Sequence, residues 1–147
     1  MKPRFRKPFS PKAAVPTEHE EQRHVMLWAA ALERRTVAAL ANLFAIPNGG
    51  SRHIVTARRM KAEGVKPGVP DLFLAHAAKG KHGLFIEMKR RKGGSLSREQ
   101  ADWRQRLEAA GYAVEMCRGA REAIAIIESY LGLSNRPQPA AARPSEF

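Results

Sequence analysis

The chain is poor in the residues that several kinds of chemistry need. It holds one cysteine, Cys117, so neither an intrachain disulfide nor a multi-cysteine metal site can form. A single thiol fits a reducing cytoplasm. No apolar run is long enough to span a bilayer. The N-terminus, Met1-Lys2-Pro3-Arg4-Phe5-Arg6-Lys7-Pro8, lacks the apolar core of a signal peptide. A membrane-surface reading would need a basic amphipathic helix or a lipid anchor; no lipidation motif is evident, and no membrane partner is expected. Acidic residues are scarce: 14 Asp and Glu stand against 26 Lys and Arg, a net charge of +12. Such an excess selects polyanionic partners, nucleic acid first among them. The histidines His19, His24, His53, His76 and His82 form neither an H-E-x-x-H nor an H-N-H pattern. No glycine-rich loop leads into Lys-Ser/Thr, so no nucleotide cofactor is indicated.

What is present reads as one α/β domain, which 147 residues can support. Residues 1–16 carry Pro3, Pro8, Pro11 and Pro16 among Lys and Arg and are expected to form a flexible basic arm. Residues 17–133 hold the ordered domain, and residues 134–147, with Pro137, Pro139 and Pro144, read as a disordered tail. Thr17 and Glu20 make a capping box that opens a helix to about Arg34, with Val25, Trp28 and Leu32 as its buried stripe. Leu43-Phe44-Ala45-Ile46 is strand-like and ends at Pro47-Asn48-Gly49-Gly50. A second helix is expected over residues 51–62, stopping at Gly64. Ser97 opens a third, with Trp103, Leu107 and Ala110 on its buried face and Gly111 as its stop. A strand over residues 112–117 and a last helix over residues 120–131 complete an αβαββαβα order around a small mixed sheet.

The chemistry concentrates in a hairpin. Asp71-Leu72-Phe73-Leu74-Ala75 and Leu84-Phe85-Ile86-Glu87-Met88-Lys89 are apolar runs flanking a turn-like stretch with Gly80 and Gly83. With the turn centred near Gly80, Asp71 lies across from Lys89 and Phe73 across from Glu87. Glu87 and Lys89 share a face because side chains alternate, and Asp71 sits opposite or diagonal to them. A slip of one residue would undo the convergence. Two close carboxylates repel, and a divalent cation relieves the conflict. Mg²⁺ or Mn²⁺ takes one or two carboxylates, with waters and a substrate phosphate completing its shell. Lys89 is then placed to orient water or to stabilise developing charge. The arrangement suits a metal-dependent phosphodiesterase. The competing reading is a non-catalytic nucleic-acid-binding module whose carboxylates are structural.

Gly68-Val69-Pro70-Asp71, Glu87-Met88-Lys89, Ser97-Arg98-Glu99-Gln100, Gly111-Tyr112 and the Pro47-Asn48-Gly49-Gly50-Ser51-Arg52 loop together resemble the VRR-NUC domain. That family is a branch of the PD-(D/E)XK nucleases, and the resemblance extends over about residues 17–131, closest to the small stand-alone versions of phages and bacteria. It implies a restriction-endonuclease-like fold and metal-dependent cleavage of branched DNA, four-way Holliday junctions included, often by a homodimer. It also implies a cytoplasmic location in a bacterium or a phage-infected host cell. The resemblance adds the Met88 carbonyl to Asp71 and Glu87 as a metal ligand. It puts an acidic residue of the first helix at the metal, for which Glu18, one turn before Gln22, fits best and Glu21 is the fallback.

Simpler roles compete at several positions. Glu18 and Glu21 also suit a helix N-terminus electrostatically. Gln100, which the family carries at the edge of its active site, also completes a capping box with Ser97. Arg52, Arg90, Arg91 and Lys92 are the expected DNA-phosphate contacts, and Arg58, Arg59 and Lys61 a second basic surface.

Overall fold

The computed structural model describes residues 15–35, 37–47 and 54–133. The anticipated basic arm up to residue 14, the loop holding Arg52, and the tail from residue 134 lie outside the described residues.

The elements follow the expected order: α1 (Glu18–Glu33), β1 (Leu43–Ala45), α2 (Ile54–Ala62), β2 (Leu72–Leu74), β3 (Leu84–Lys89), α3 (Arg98–Ala109), β4 (Ala113–Arg118) and α4 (Ala120–Tyr130). A short 3-10 helix over Ala38–Asn42, which no sequence signal marked, leads into β1. The sheet order is β1-β2-β3-β4. The first two pairings are antiparallel, and β3 with β4 is parallel, α3 serving as the crossover that a parallel pair requires.

Both capping boxes form. Thr17 Oγ1 accepts the Glu20 N–H while Glu20 accepts the Thr17 N–H, and Ser97 with Gln100 does the same for α3. One sheet face carries Leu72, Leu74, Leu84, Ile86, Met88 and Cys117, all at most 2% exposed. This face packs on α1 through Val25 and Ala29, and on α4 through Ala123 and Ile127. Trp28 and Leu32 pack at the margin of this core rather than inside it. α3 covers the other face beside β4 and buries no residue completely; Trp103 and Leu107 are half-buried, and Ala110, anticipated as buried, is exposed. Trp103 is held instead by its indole N–H, which donates to the Pro67 carbonyl at 3.0 Å.

The hairpin register differs from the expected one by two residues. Leu72 pairs with Ile86, Phe73 with Phe85 and Leu74 with Leu84. The turn closes on Lys79 and Gly80, both at positive φ, between the bridged residues Ala78 and Lys81. That centre lies earlier than Gly80, and four steps separate Leu74 from Ala78 where three separate Lys81 from Leu84. A shift of two keeps every side chain on its expected face. Asp71 therefore falls opposite Glu87 rather than Lys89, and Phe73 opposite Phe85 rather than Glu87.

One ion pair with a buried carboxylate fastens this architecture. Glu21, wholly buried, accepts the Arg91 Nε–H at 2.5 Å through one oxygen and the Ala120 N–H at 2.8 Å through the other. It thus joins α1, the loop after β3 and the N-terminus of α4, where a negative charge is favoured. Burial works against the charge, but the Ala120 N–H and the Arg91 guanidinium hold the carboxyl below its ordinary range. Gly119 makes room: it turns at φ +86°, and a Cβ there would lie 3.2 Å from the Arg91 side chain and 3.4 Å from the Glu21 carboxyl carbon. Arg91→Ala leaves Glu21 one donor short inside the protein. The substitution is expected to destabilise the fold by about 2 kcal/mol, read as a lowered urea midpoint.

Candidate active site

β2 and β3 supply the acidic pair. Asp71 stands one residue before β2, led in by Gly68-Val69-Pro70. Gly68 has φ +82°, and a Cβ there would meet the Glu99 backbone at 2.7 Å, so only glycine lets this segment pass the start of α3 so closely. Asp71 Oδ2 accepts the Met88 N–H at 2.8 Å. Its carboxylate thus lies against the β3 backbone between Glu87 and Lys89.

Glu87, Lys89 and Gln100 close a triangle. Lys89 Nζ is 3.1 Å from Glu87 Oε1 and donates to Gln100 Oε1 at 2.9 Å. Gln100 Nε2 donates to Glu87 Oε1 at 2.5 Å. Gln100 Oε1 also accepts the Ser97 N–H at 2.9 Å. The capping and site roles of Gln100 are therefore one arrangement: its carbonyl oxygen serves the helix cap and Lys89 together, leaving its amide N–H for Glu87. The opposite amide orientation would set donor against donor at Ser97 and Lys89 and acceptor against acceptor at Glu87.

The site is largely shielded from solvent, with the Glu87 and Lys89 side chains 7% and 11% exposed. Burial, then the charge of Asp71, pushes the Glu87 carboxyl up to about 7, against the opposing pull of Lys89. Glu18 adds a smaller push in the same direction, which sets it within electrostatic reach of Glu87. Its Oε1 accepts the Arg90 N–H at 3.1 Å, just beyond β3. Glu21, the fallback, is committed to Arg91 and Ala120 instead.

The donor set fits a hard divalent cation. Asp71, just ahead of β2, and Glu87 on β3 fall at opposed positions of the hairpin, and the charge of Asp71 opposes the ionisation of Glu87, a conflict a cation removes. Among the described residues no three His, Cys, Asp or Glu side chains group as a metal site by themselves. The set is the sparse kind Mg²⁺ uses, with one or two carboxylates and the rest of the shell from water and phosphate.

The remaining sequence candidates fall around this centre. Arg90 and Lys92 are exposed on the loop after Lys89, while Arg91, 54% exposed, is tied to Glu21. Arg118, which sequence reasoning did not single out, bonds through its guanidinium to the carbonyls of Gly93 and Gly94 and so pins the far end of that loop. No local signal marks it, because its partners come from another strand's end. Arg58 and Lys61 are exposed on α2, where Arg59 pairs with Glu63 at 2.8 Å. Cys117 is buried, and burial, aided by Glu122 and Glu115, pushes its thiol up to about 12, which rules against a nucleophile. His82 is exposed, its backbone N–H donating to Gly111 and its ring lying 5.8 Å from Tyr112. No helix among the described residues is long and apolar enough to cross a membrane.

Comparison with known proteins identifies the fold and the family. A solved structure described as a VRR_NUC domain protein aligns with a TM-score of 0.68 at 28% identity, over 82% of this chain and 92% of that one. No curated protein matches the chain. The model of the VRR-NUC domain matches residues 10–121, a span that holds the whole triangle, Asp71 and Glu18. The chain therefore belongs to the VRR-NUC domain family, which implies a nuclease of PD-(D/E)XK type with a divalent metal and, as its substrate, DNA.

Proposed function

We propose that this protein is a structure-selective DNA endonuclease that hydrolyses phosphodiester bonds in branched DNA, four-way junctions included, and acts as a homodimer. The observation that carries the hydrolytic part is the largely buried triangle of Glu87, Lys89 and Gln100 with Asp71 set opposite. Asp71, Glu87 and the Met88 carbonyl would hold Mg²⁺ or Mn²⁺, with Glu18 in support. When bound, the metal neutralises charge on the phosphoryl oxygens and acidifies water. The chain's own groups do the rest. Gln100 fixes the Lys89 ammonium in place, and Lys89 orients the attacking water and stabilises charge as it develops. Arg90 and Lys92, with Arg91 and Arg52, grip phosphates flanking the cut and read no sequence. Cleavage in this superfamily leaves 5′-phosphate and 3′-hydroxyl ends.

The preference for branches is supported by the resemblance to the small phage and bacterial members, while the +12 charge supports nucleic acid of any form as the partner. A domain this small covers little DNA, so symmetric cutting of a junction needs two copies. The test is the purified protein with Mg²⁺ or Mn²⁺ against labelled junction, flap, duplex and single-stranded substrates. Metal-dependent cleavage fastest on branched DNA is expected. Binding without cleavage of any substrate under either metal would leave only the binding-module reading. Sedimentation showing a monomer alone and on junction DNA would contradict the homodimer.

A further inference from the structure

The sheet face that carries Asp71, Glu87 and Lys89 also carries an aromatic row. Phe44, Phe73 and Phe85 are register partners on β1, β2 and β3, and Tyr112 follows at the edge of β4. Phe73 stacks on Phe85 with centroids 4.2 Å apart. Phe44 meets Phe73 edge-on at 5.6 Å, and Tyr112 meets Phe85 at 5.3 Å. This is not the core of the protein, which lies on the opposite face. Phe73, Phe85 and Tyr112 are half-buried, and Phe44 is 48% exposed.

The position of the row makes it chemically informative. Phe73 is two residues along β2 from Asp71, and Phe85 two along β3 from Glu87, about 7 Å in an extended strand. Read along β3, the order is aromatic at 85, carboxylate at 87, ammonium at 89, then the basic loop at 90–92. A nucleic-acid strand with phosphates over the basic loop and its scissile phosphate at Glu87 and Lys89 would bring its next nucleotide over the rings. Aromatic faces beside a positively charged track are the recurring means of holding unpaired bases.

We propose that this row is a stacking platform for unpaired bases next to the cleaved bond, so that the site favours strands whose bases are free near a branch. The inference rests on the nuclease reading, and its test does not use cleavage. Binding is measured in EDTA by the fluorescence of a 2-aminopurine placed unpaired beside a branch, against a fully paired duplex of equal length. The parent protein is expected to quench the probe. Phe44→Ala is expected to weaken binding of the branched DNA by about 5- to 20-fold while moving duplex affinity less than about twofold. Phe44→Trp restores both the quenching and the affinity. Equal losses on both DNAs, or no loss, would overturn the proposal. So would a loss that follows a shift from dimer to monomer in sedimentation, which would assign Phe44 to contact with a second copy. Thermal melting checks that the Phe44 variants fold. Absence of cleavage by the parent would count against the nuclease reading and leave this binding result intact.

Discussion

Lys89→Ala is expected to slow DNA cleavage by about 10²- to 10³-fold while leaving the affinity for uncleaved DNA within a few-fold of the parent. Two losses combine. The ammonium 3.1 Å from Glu87 disappears from the place where charge develops. Its pull on Glu87 disappears too, so the carboxyl, already pushed up to about 7, rises further and is less often ionised when a metal arrives. Lys89→Arg is not expected to rescue. Gln100 and Glu87 hold the compact ammonium of a side chain only 11% exposed, and a planar guanidinium needs a different geometry. Single-turnover cleavage and filter binding in EDTA separate the two quantities. Equal loss of binding and cleavage would make Lys89 a phosphate anchor only.

Metal affinity is expected to fall about tenfold between pH 8 and pH 6. Glu87 titrates near 7 rather than at its ordinary 4.5. Below 7 a metal must displace a proton from it, at about tenfold in apparent affinity for each pH unit. The sign for stability follows from the same shift. Between 4.5 and 7 the folded protein keeps a proton that the unfolded chain has released, so this group's contribution falls as pH rises through that window. A bound dication cancels the penalty, so Mn²⁺ should raise the melting temperature more at pH 8 than at pH 6. Asp71→Asn removes the second-largest cause of the raised pKa, after burial, and is expected to weaken Mn²⁺ binding and flatten its pH dependence together. Calorimetric titration with Mn²⁺ at the two pH values measures both. A pH-independent affinity would show that metal binding displaces no proton from Glu87 in this window and would contradict the raised carboxyl.

Much of this arrangement is written in local sequence. The capping boxes of Thr17 and Ser97 and the stop at Gly111 involve residues within a few positions of one another. The convergence of Asp71 with Glu87 and Lys89 follows from a period of two, which is why it survives a register displaced by two. The displacement itself was not legible, because Ala75-His76-Ala77 carries no signal that the first strand holds the extra residue. Gln100 offered two roles that looked exclusive. Only the position of Lys89 in space shows one oxygen serving both.

Long-range placements were the least legible. Glu21 reads locally as one of three acids in a helix's first turn, and only the packing of α4 on α1 turns it into a buried cap. The aromatic row has the same character. Its four rings lie far apart in sequence, and pairing across the sheet makes them neighbours.

The central claim is that Asp71 and Glu87 jointly hold a hard dication beside Lys89. Anomalous diffraction at the manganese edge, from crystals soaked at pH 8, tests it most directly. The expected result is one strong peak between the two carboxylates, within coordination distance of the Met88 carbonyl oxygen. A peak at any other group, or none there at millimolar Mn²⁺, would contradict it.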